Sequence, residues 1–198
     1  EAIHFNRIAL VNLLVRKFEN CAYLEIGCRG NTLFDAVATL DKTGVDPAAG
    51  GTHCMTSDQF FGKNSRKFDV IFVDGLHTYE QVRRDAVNAL EVVREGGWIA
   101  FHDMLPASWK EQHVPQLQST WTGDVWKLAF ELAATRGIDF QVIQIDRGVA
   151  ILKKTANRVS LADRQSDLAE RQFDYFFNHY IELPIKRLEP AIEWLDQH

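Results

Sequence analysis

Between Phe68 and Phe101 the chain reads strand, helix, strand, and that order leaves few folds open. Phe68-Asp69-Val70-Ile71-Phe72-Val73-Asp74 is a nearly continuous apolar run, the pattern of a strand covered on both faces. Val82, Ala86, Ala89, Leu90 and Val93 then recur at helical spacing, with Arg83, Arg84, Asn88, Glu91 and Arg94 expected to face water. Thr78 and Gln81 stand at the spacing of a capping box, and Gly96-Gly97 offers the left-handed backbone that ends a helix. Trp98-Ile99-Ala100-Phe101 is the returning strand. A helical crossover between two strands makes them parallel, and a parallel sheet needs cover on both faces.

The rest of the chain repeats this alternation. Residues 5–18 predict a helix with Ile8, Val11, Leu14 and Val15 on one stripe, and residues 22–26 a buried strand ending at Gly27. Asn31 or Thr32 is expected to cap a helix running through Leu40, and a second strand ends at Gly44-Val45-Asp46-Pro47. Residues 48–54 read as loop, followed by a short strand around residues 54–56 and a brief helix from Ser57 or Asp58. After Trp109, Pro115 and Trp121, Asp124 is expected to cap a helix bearing Val125, Leu128, Ala129 and Leu132. Residues 139–145 then meet residues 149–152 through Asp146-Arg147-Gly148, a link so tight that the pair is an antiparallel hairpin. The expectation is an α/β, doubly wound, mainly parallel Rossmann-like sheet with an antiparallel C-terminal hairpin and extra C-terminal helices. Residues 1–157 make the binding domain. Residues 158–198 are a helical extension of it, which packs on the same domain, pairs two copies into a homodimer, or closes as a lid.

Composition narrows the partners. A chain of 198 residues, 46% of them hydrophobic, can build one sizeable core without metal or disulfide. The net charge of −5 argues against a nucleic-acid groove, which shows a basic stripe. Cys21, Cys28 and Cys54 form no CxxC pair and read as free thiols of a cytoplasmic protein. No apolar run approaches the roughly 18 residues of a membrane span. A small molecule is the expected partner.

In such sheets ligands bind at the carboxyl ends of the strands. Glu25-Ile26-Gly27-Cys28-Arg29-Gly30-Asn31, Asp46, Ser57-Asp58, Asp74-His77 and His102-Asp103 all fall there. Glycines after the first strand permit a tight turn, and the helix that follows favours an anion, either the methionine carboxylate of S-adenosylmethionine or a dinucleotide pyrophosphate. The spacing is G-x-x-G, not the GxGxxG of nicotinamide-binding sheets. Asp46, 19 residues after Gly27 (46 − 27), stands where a carboxylate accepts both ribose hydroxyls, or else caps a turn. Ser57 or Asp58 lies beside the adenine, or else only caps a helix. Trp126 and Phe130 fall off the neighbouring apolar stripe and read as core, with an acceptor platform as the alternative; Lys127 reads as a solvated charge.

Taken in order, Tyr23-Leu24-Glu25-Ile26-Gly27, Gly44-Val45-Asp46-Pro47, Phe72-Val73-Asp74-Gly75-Leu76-His77-Thr78-Tyr79 and Gly96-Gly97-Trp98-Ile99-Ala100-Phe101-His102-Asp103 resemble the motifs of class I S-adenosylmethionine-dependent methyltransferases. The bacterial branch that includes macrolide-sugar O-methyltransferases and cephalosporin-cluster methyltransferases is the most similar. The resemblance implies a seven-stranded sheet and a cofactor held by Glu25, Gly27, Cys28, Arg29, Gly30, Asn31, Asp46, Ser57, Asp58 and Asp74, with Arg29 pairing the methionine carboxylate. It also implies a Mg²⁺ site at Asp74, His102 and Asp103, with His77 as general base beside Asp74. An imidazole as the second ligand suits a softer divalent ion better than Mg²⁺. The expected activity is O-methylation of a small hydroxylated acceptor such as a sugar or glycosylated metabolite. Two other readings stay open: a nicotinamide-dependent oxidoreductase, and a noncatalytic binding module. His77 could equally cap a helix or bridge to Asp74, and the His102-Asp103 pair could be structural.

Overall fold

A computed structural model describes residues 5–198. The first half alternates α1 (Arg7–Val15), β1 (Tyr23–Ile26), α2 (Thr32–Ala36), β2 (Lys42–Val45), α3 (Ser57–Phe61), β3 (Phe68–Val73), α4 (Tyr79–Val92) and β4 (Val93–Phe101). The second half adds α5 (Trp109–Gln112), α6 (Lys127–Ala134), β5 (Ile138–Ile143), β6 (Val149–Lys154), α7 (Gln165–Leu168), α8 (Phe173–His179), β7 (Ile185–Lys186) and α9 (Leu188–Gln197). The strands form one seven-stranded sheet in the order β2-β1-β3-β4-β6-β5-β7. Only β6 runs against its neighbours, so the hairpin expected from Asp146-Arg147-Gly148 is present inside an otherwise parallel sheet.

Side chains alternate between two apolar layers, as the pleat requires. Leu24, Ile26, Ile71, Val73, Ile99 and Phe101 pack under α4 and α6, whereas Tyr23, Val70, Phe72, Trp98 and Ala100 pack under α1 and α9. The C-terminal segment is divided between the same layers. Leu168, Phe176 and Leu183 join the first, and Ala191 and Leu195 the second. Trp126 and Phe130 are buried against Tyr175 and Phe176, which makes them core, while Phe177 and Ile181 stay exposed.

Several local expectations are corrected. No strand forms at residues 54–56. The Gly50-Gly51 turn folds the chain back, Thr52 and His53 both donate to the Gly44 carbonyl, and only an isolated Val45–His53 bridge remains. The seventh strand is the C-terminal β7 at the opposite edge. Neither Ser57 nor Asp58 caps α3; Thr56 does, in a reciprocal capping box with Gln59. The helix after Asn31 stops at Ala36, and Asn31 gives it no side-chain cap. Gly96-Gly97 does not cap α4, which ends at Val92; Gly96, at φ 78°, lies in an irregular entry to β4 where the pairing with β3 shifts. Arg83 does not simply face water, because it pairs with the fully buried Glu131.

The most consequential correction concerns Asp124. It caps α4 rather than the helix that follows it, because its Oδ1 accepts from the Tyr79 amide at 2.7 Å, 45 residues away. Thr78, the expected cap, makes no such bond. The other oxygen of Asp124 holds Lys127 at 2.8 Å, and Lys127, expected in solvent, is buried with the Ala169 carbonyl as its second partner. Asp124→Ala therefore removes a cap and strands a buried cation, a loss of about 3–5 kcal/mol. Thr78→Ala should cost under about 0.5 kcal/mol. Urea denaturation midpoints of the two variants check this ordering, and equal shifts would refute it.

Candidate active site

The chain turns from β1 towards β2 on one side and returns to β3 on the other, so the sheet switches direction between β1 and β3. Ligands in open α/β sheets bind at such a point. Here the turn after β1 meets the turn after β3. Gly27, at φ 88°, is so close to Asp74 that a Cβ would collide with the Asp74 carbonyl. Beside this contact lies a cleft of about 410 Å³, lined by Glu25, Gly27, Cys28, Arg29, Gly30 and Asp74 among the expected residues. Arg7, Thr32, Leu33 and Phe72 complete it. Arg7 escaped the sequence reading because it belongs to α1, outside every strand-end motif.

Glu25 lies at the floor of the cleft. Burial pushes its carboxyl up to about 7, although the Tyr23 hydroxyl donates to it at 2.6 Å and the Arg7 charge favours its anion. Burial likewise pushes the Cys28 thiol up to about 12, so that side chain is a packing group, not a nucleophile.

Four expected residues do not line this cleft. Asn31 holds the glycine turn instead, its Oδ1 accepting from the Gly51 amide at 2.7 Å. Asp46 accepts from the amides of Arg29, Ala48 and Ala49 at 2.8, 2.8 and 3.0 Å. Burial opposes its charge, but these three donors prevail and hold the carboxyl below its ordinary range. A carboxylate has about four acceptor sites, so Asp46 has room for one further hydroxyl rather than a ribose pair. Ser57 and Asp58 both bond to the Gln81 amide, at 3.1 and 3.2 Å, in a polar cluster with buried Asp85. Burial raises the Asp85 carboxyl to about 6. The cluster reaches the turn after β3, since a Cβ on Gly75 would stand 3.7 Å from Asp85 Oδ2.

Asp74, His77, His102 and Asp103 do converge. His77 Nε2 bonds to Asp74 Oδ1 at 3.1 Å, and His77 Nδ1 lies 3.3 Å from Asp103 Oδ2. His102 Nδ1 lies 3.4 Å from Asp74 Oδ1 and 3.2 Å from Asp103 Oδ1. Those last contacts are close but misaligned: both nitrogens of His102, His77 Nδ1 and Asp103 Oδ1 are buried without a hydrogen bond. Burial disfavours the His102 cation, yet the Asp103 and Asp74 carboxylates outweigh it and raise the imidazole to about 9. His77 is raised for the same reason, chiefly by Asp74 once burial is overcome. Asp74 in turn is held well below the usual carboxylate range, the two imidazoles prevailing over burial.

Buried donor and acceptor atoms left without a bond need a further partner. One ligand atom each from Asp74, His102 and Asp103 lies within 4.8 Å of the others, so a divalent cation fits this set. Two carboxylates with one imidazole suit Mn²⁺, Co²⁺ or Fe²⁺ at least as well as Mg²⁺.

Remote segments hold this cluster in place. Asp103 adopts φ 63°, and the two residues after it pair with the β5–β6 turn through Met104 N to Gly148 O and Leu105 N to Arg147 O. His77 is clamped by residues 121–124. Trp121 stacks on its ring at 5.2 Å, Gly123 packs so tightly that a Cβ would collide with the His77 carbonyl, and Asp124 caps the helix that follows.

Residues 35–104 match the family described as a methyltransferase domain, a stretch that contains Asp46, Asp74, His77, His102 and Asp103. Among solved structures, the O-methyltransferase TomG from Streptomyces achromogenes, involved in tomaymycin synthesis and bound to S-adenosylmethionine, is 15% identical with a TM-score of 0.58. The alignment covers 78% of this chain and 82% of that one. The O-methyltransferase from Bacillus cereus in complex with S-adenosylhomocysteine is 14% identical with a TM-score of 0.53, over 73% of this chain and 79% of that one. The Podospora anserina methyltransferase PaMTH1, also bound to S-adenosylhomocysteine, is 13% identical with a TM-score of 0.55, covering 76% and 78%. At these identities the likeness establishes the fold, which is that of class I methyltransferases. No curated protein sequence matches the chain significantly. Among the described residues no helix is long and apolar enough to cross a membrane.

Co²⁺ added to the protein should bind at Asp74, His102 and Asp103 and give a visible absorption band. Asp103→Ala and His102→Ala should each weaken that binding at least about tenfold. Undiminished binding in Asp103→Ala would place the ion elsewhere.

Proposed function

We propose that this chain is an S-adenosylmethionine-dependent O-methyltransferase acting on a small hydroxylated acceptor, such as a sugar or glycosylated metabolite. The observation that carries the reading is the half-buried cluster of two carboxylates and two imidazoles, Asp74, His77, His102 and Asp103, adjoining the Gly27 cleft at the switch point of the sheet. The methyltransferase-domain match over the same strand ends supports it.

The cleft suits the methionine end of the cofactor. Gly27 and Gly30 allow close backbone approach, and the lining offers opposite charges, Glu25 to an amino group and the arginines Arg7 and Arg29 to a carboxylate. The nucleoside would extend past Asp46, which has one acceptor site left for a ribose hydroxyl, towards Ser57 and Asp58 under the Gly75 turn.

Methyl transfer needs a better nucleophile than a neutral hydroxyl. His77 takes the acceptor's proton, while Asp74 on Nε2 orients the ring and favours the resulting imidazolium. The acceptor oxygen forms its bond to the methyl carbon in line with the breaking C–S bond, whose electron pair neutralises the sulfonium. Asp74, His102 and Asp103 would hold a divalent ion, which when bound lowers the pKa of a hydroxyl beside it. To ligate, His102 sheds the proton that the carboxylates otherwise keep on it. Trp121, stacked on His77, walls the acceptor side with an aromatic face.

Calorimetry should show S-adenosylhomocysteine binding and no NADH binding; the reverse result would replace this reading with an oxidoreductase. In a screen of hydroxylated sugars and glycosides with radiolabelled S-adenosylmethionine, His77→Ala should lower turnover about 10²–10⁴-fold while homocysteine-nucleoside affinity stays unchanged. EDTA should inhibit, and Asp103→Ala should resemble the chelated enzyme. Full activity in both conditions would remove the metal from the mechanism.

A further inference from the structure

The cleft holds two arginines on different elements, and their surroundings differ. Arg29 is exposed at the rim in a left-handed turn, φ 45°, where its charge acts on Asp46. Arg7 opens α1 and is only about a third exposed at its side chain. Among the described residues its guanidinium makes one long contact, 3.4 Å from Nη1 to Asp146 Oδ2, and the same oxygen accepts from the Arg7 amide at 2.8 Å. A guanidinium carries five N–H donors in a planar fork built for two parallel bonds to a carboxylate. A single 3.4 Å contact at this exposure is a weak hold on it.

Asp146 is itself fixed. Residues Asp146, Arg147 and Gly148 are successively left-handed, at φ 42°, 62° and 87°, and Arg147 Nη1 is pinned to Glu111 Oε1 at 2.8 Å. The start of α1 is therefore fastened through its backbone to a rigid turn, leaving the Arg7 side chain free to turn into the cleft without moving the helix. Across that cleft lies Glu25, close enough for the Arg7 charge to favour its anion. An amino-acid end needs one cation and one anion in the same cleft, and Arg7 with Glu25 supplies that pair.

Resting on the methyltransferase reading, we infer that Arg7 is the residue that binds the carboxylate of the cofactor's amino-acid end, giving up its side-chain contact with Asp146 to do so. Arg29 then serves the rim and not the carboxylate. The bound ligand would fasten α1 to the site, an element that none of the strand-end motifs contains.

The test compares two nucleosides on the full chain by calorimetry: S-adenosylhomocysteine, and 5′-methylthioadenosine, which lacks the amino-acid end. Arg7→Gln should weaken the first about 10- to 100-fold and leave the second unchanged, the loss expected for charge-assisted bonds to a carboxylate. Arg7→Met, which keeps the packing of the stem, should give the same split if the glutamine variant fails to fold. Arg29→Gln should lose far less. Equal loss of both nucleosides in the Arg7 variants would make Arg7 a structural residue, and an unchanged S-adenosylhomocysteine affinity would overturn the inference alone. A larger loss in Arg29→Gln would also overturn it. Wild-type protein that binds neither nucleoside would take the methyltransferase reading down with it.

Discussion

The site depends on how closely the turns after β1 and β3 approach one another. A side chain at position 27 would strike the Asp74 carbonyl, so only glycine lets the two strand ends close over the sheet. That contact puts Glu25 and Asp74 on the lining of one cleft and brings the Asp74 carboxylate alongside the end of β4. β3 and β4 pair in register from Val70–Trp98 to Val73–Phe101, so Asp74 and His102 emerge side by side. Parallel pairing converts two distant strand ends into one cluster of charges.

The cluster is costly to hold together. Two carboxylates and two imidazoles are crowded together, half-buried except for the buried Asp103, with several buried donor and acceptor atoms unpaired, a state the surrounding structure must impose. It is imposed from outside the sheet. The β5–β6 turn fixes the backbone beyond Asp103, and the segment from Trp121 to Asp124 grips His77 by ring stacking, glycine contact and helix capping. Lys127, buried between Asp124 and the Ala169 carbonyl, carries that grip on into the C-terminal helices. The extension from residue 158 thus does more than cover apolar surface. It supports the residue from which His77 takes its position.

Much of this was legible from residue order. The apolar run of Phe68–Val73, the helical stripe from Val82 to Leu90 and the hairpin around Asp146-Arg147-Gly148 all appear as read, because each depends on a periodicity or turn within a few residues. The convergence of Asp74, His77, His102 and Asp103 followed from a topological rule about strand ends. What failed was local capping. Thr78 with Gln81 has the spacing of a capping box, yet Gln81 is drawn to Ser57, Asp58 and Asp85, and Asp124 takes over the cap. Lys127 looks solvated until its two partners are known. No pattern within a window of residues reports a contact made across 45.

The sequence by itself therefore determined the class of sheet, its closing hairpin and the set of side chains at its carboxyl edge, since these follow from periodicity and from parallel pairing. Only the tertiary structure decided which of those side chains face the cleft. Asp46 turned to three backbone amides, Asn31 to the Gly51 amide and Ser57 to Gln81, while Arg7 came in from a helix that carries no motif. The physical reason is that a polar side chain bonds to whichever donor or acceptor folding brings within about 3 Å, and chain order does not encode that proximity.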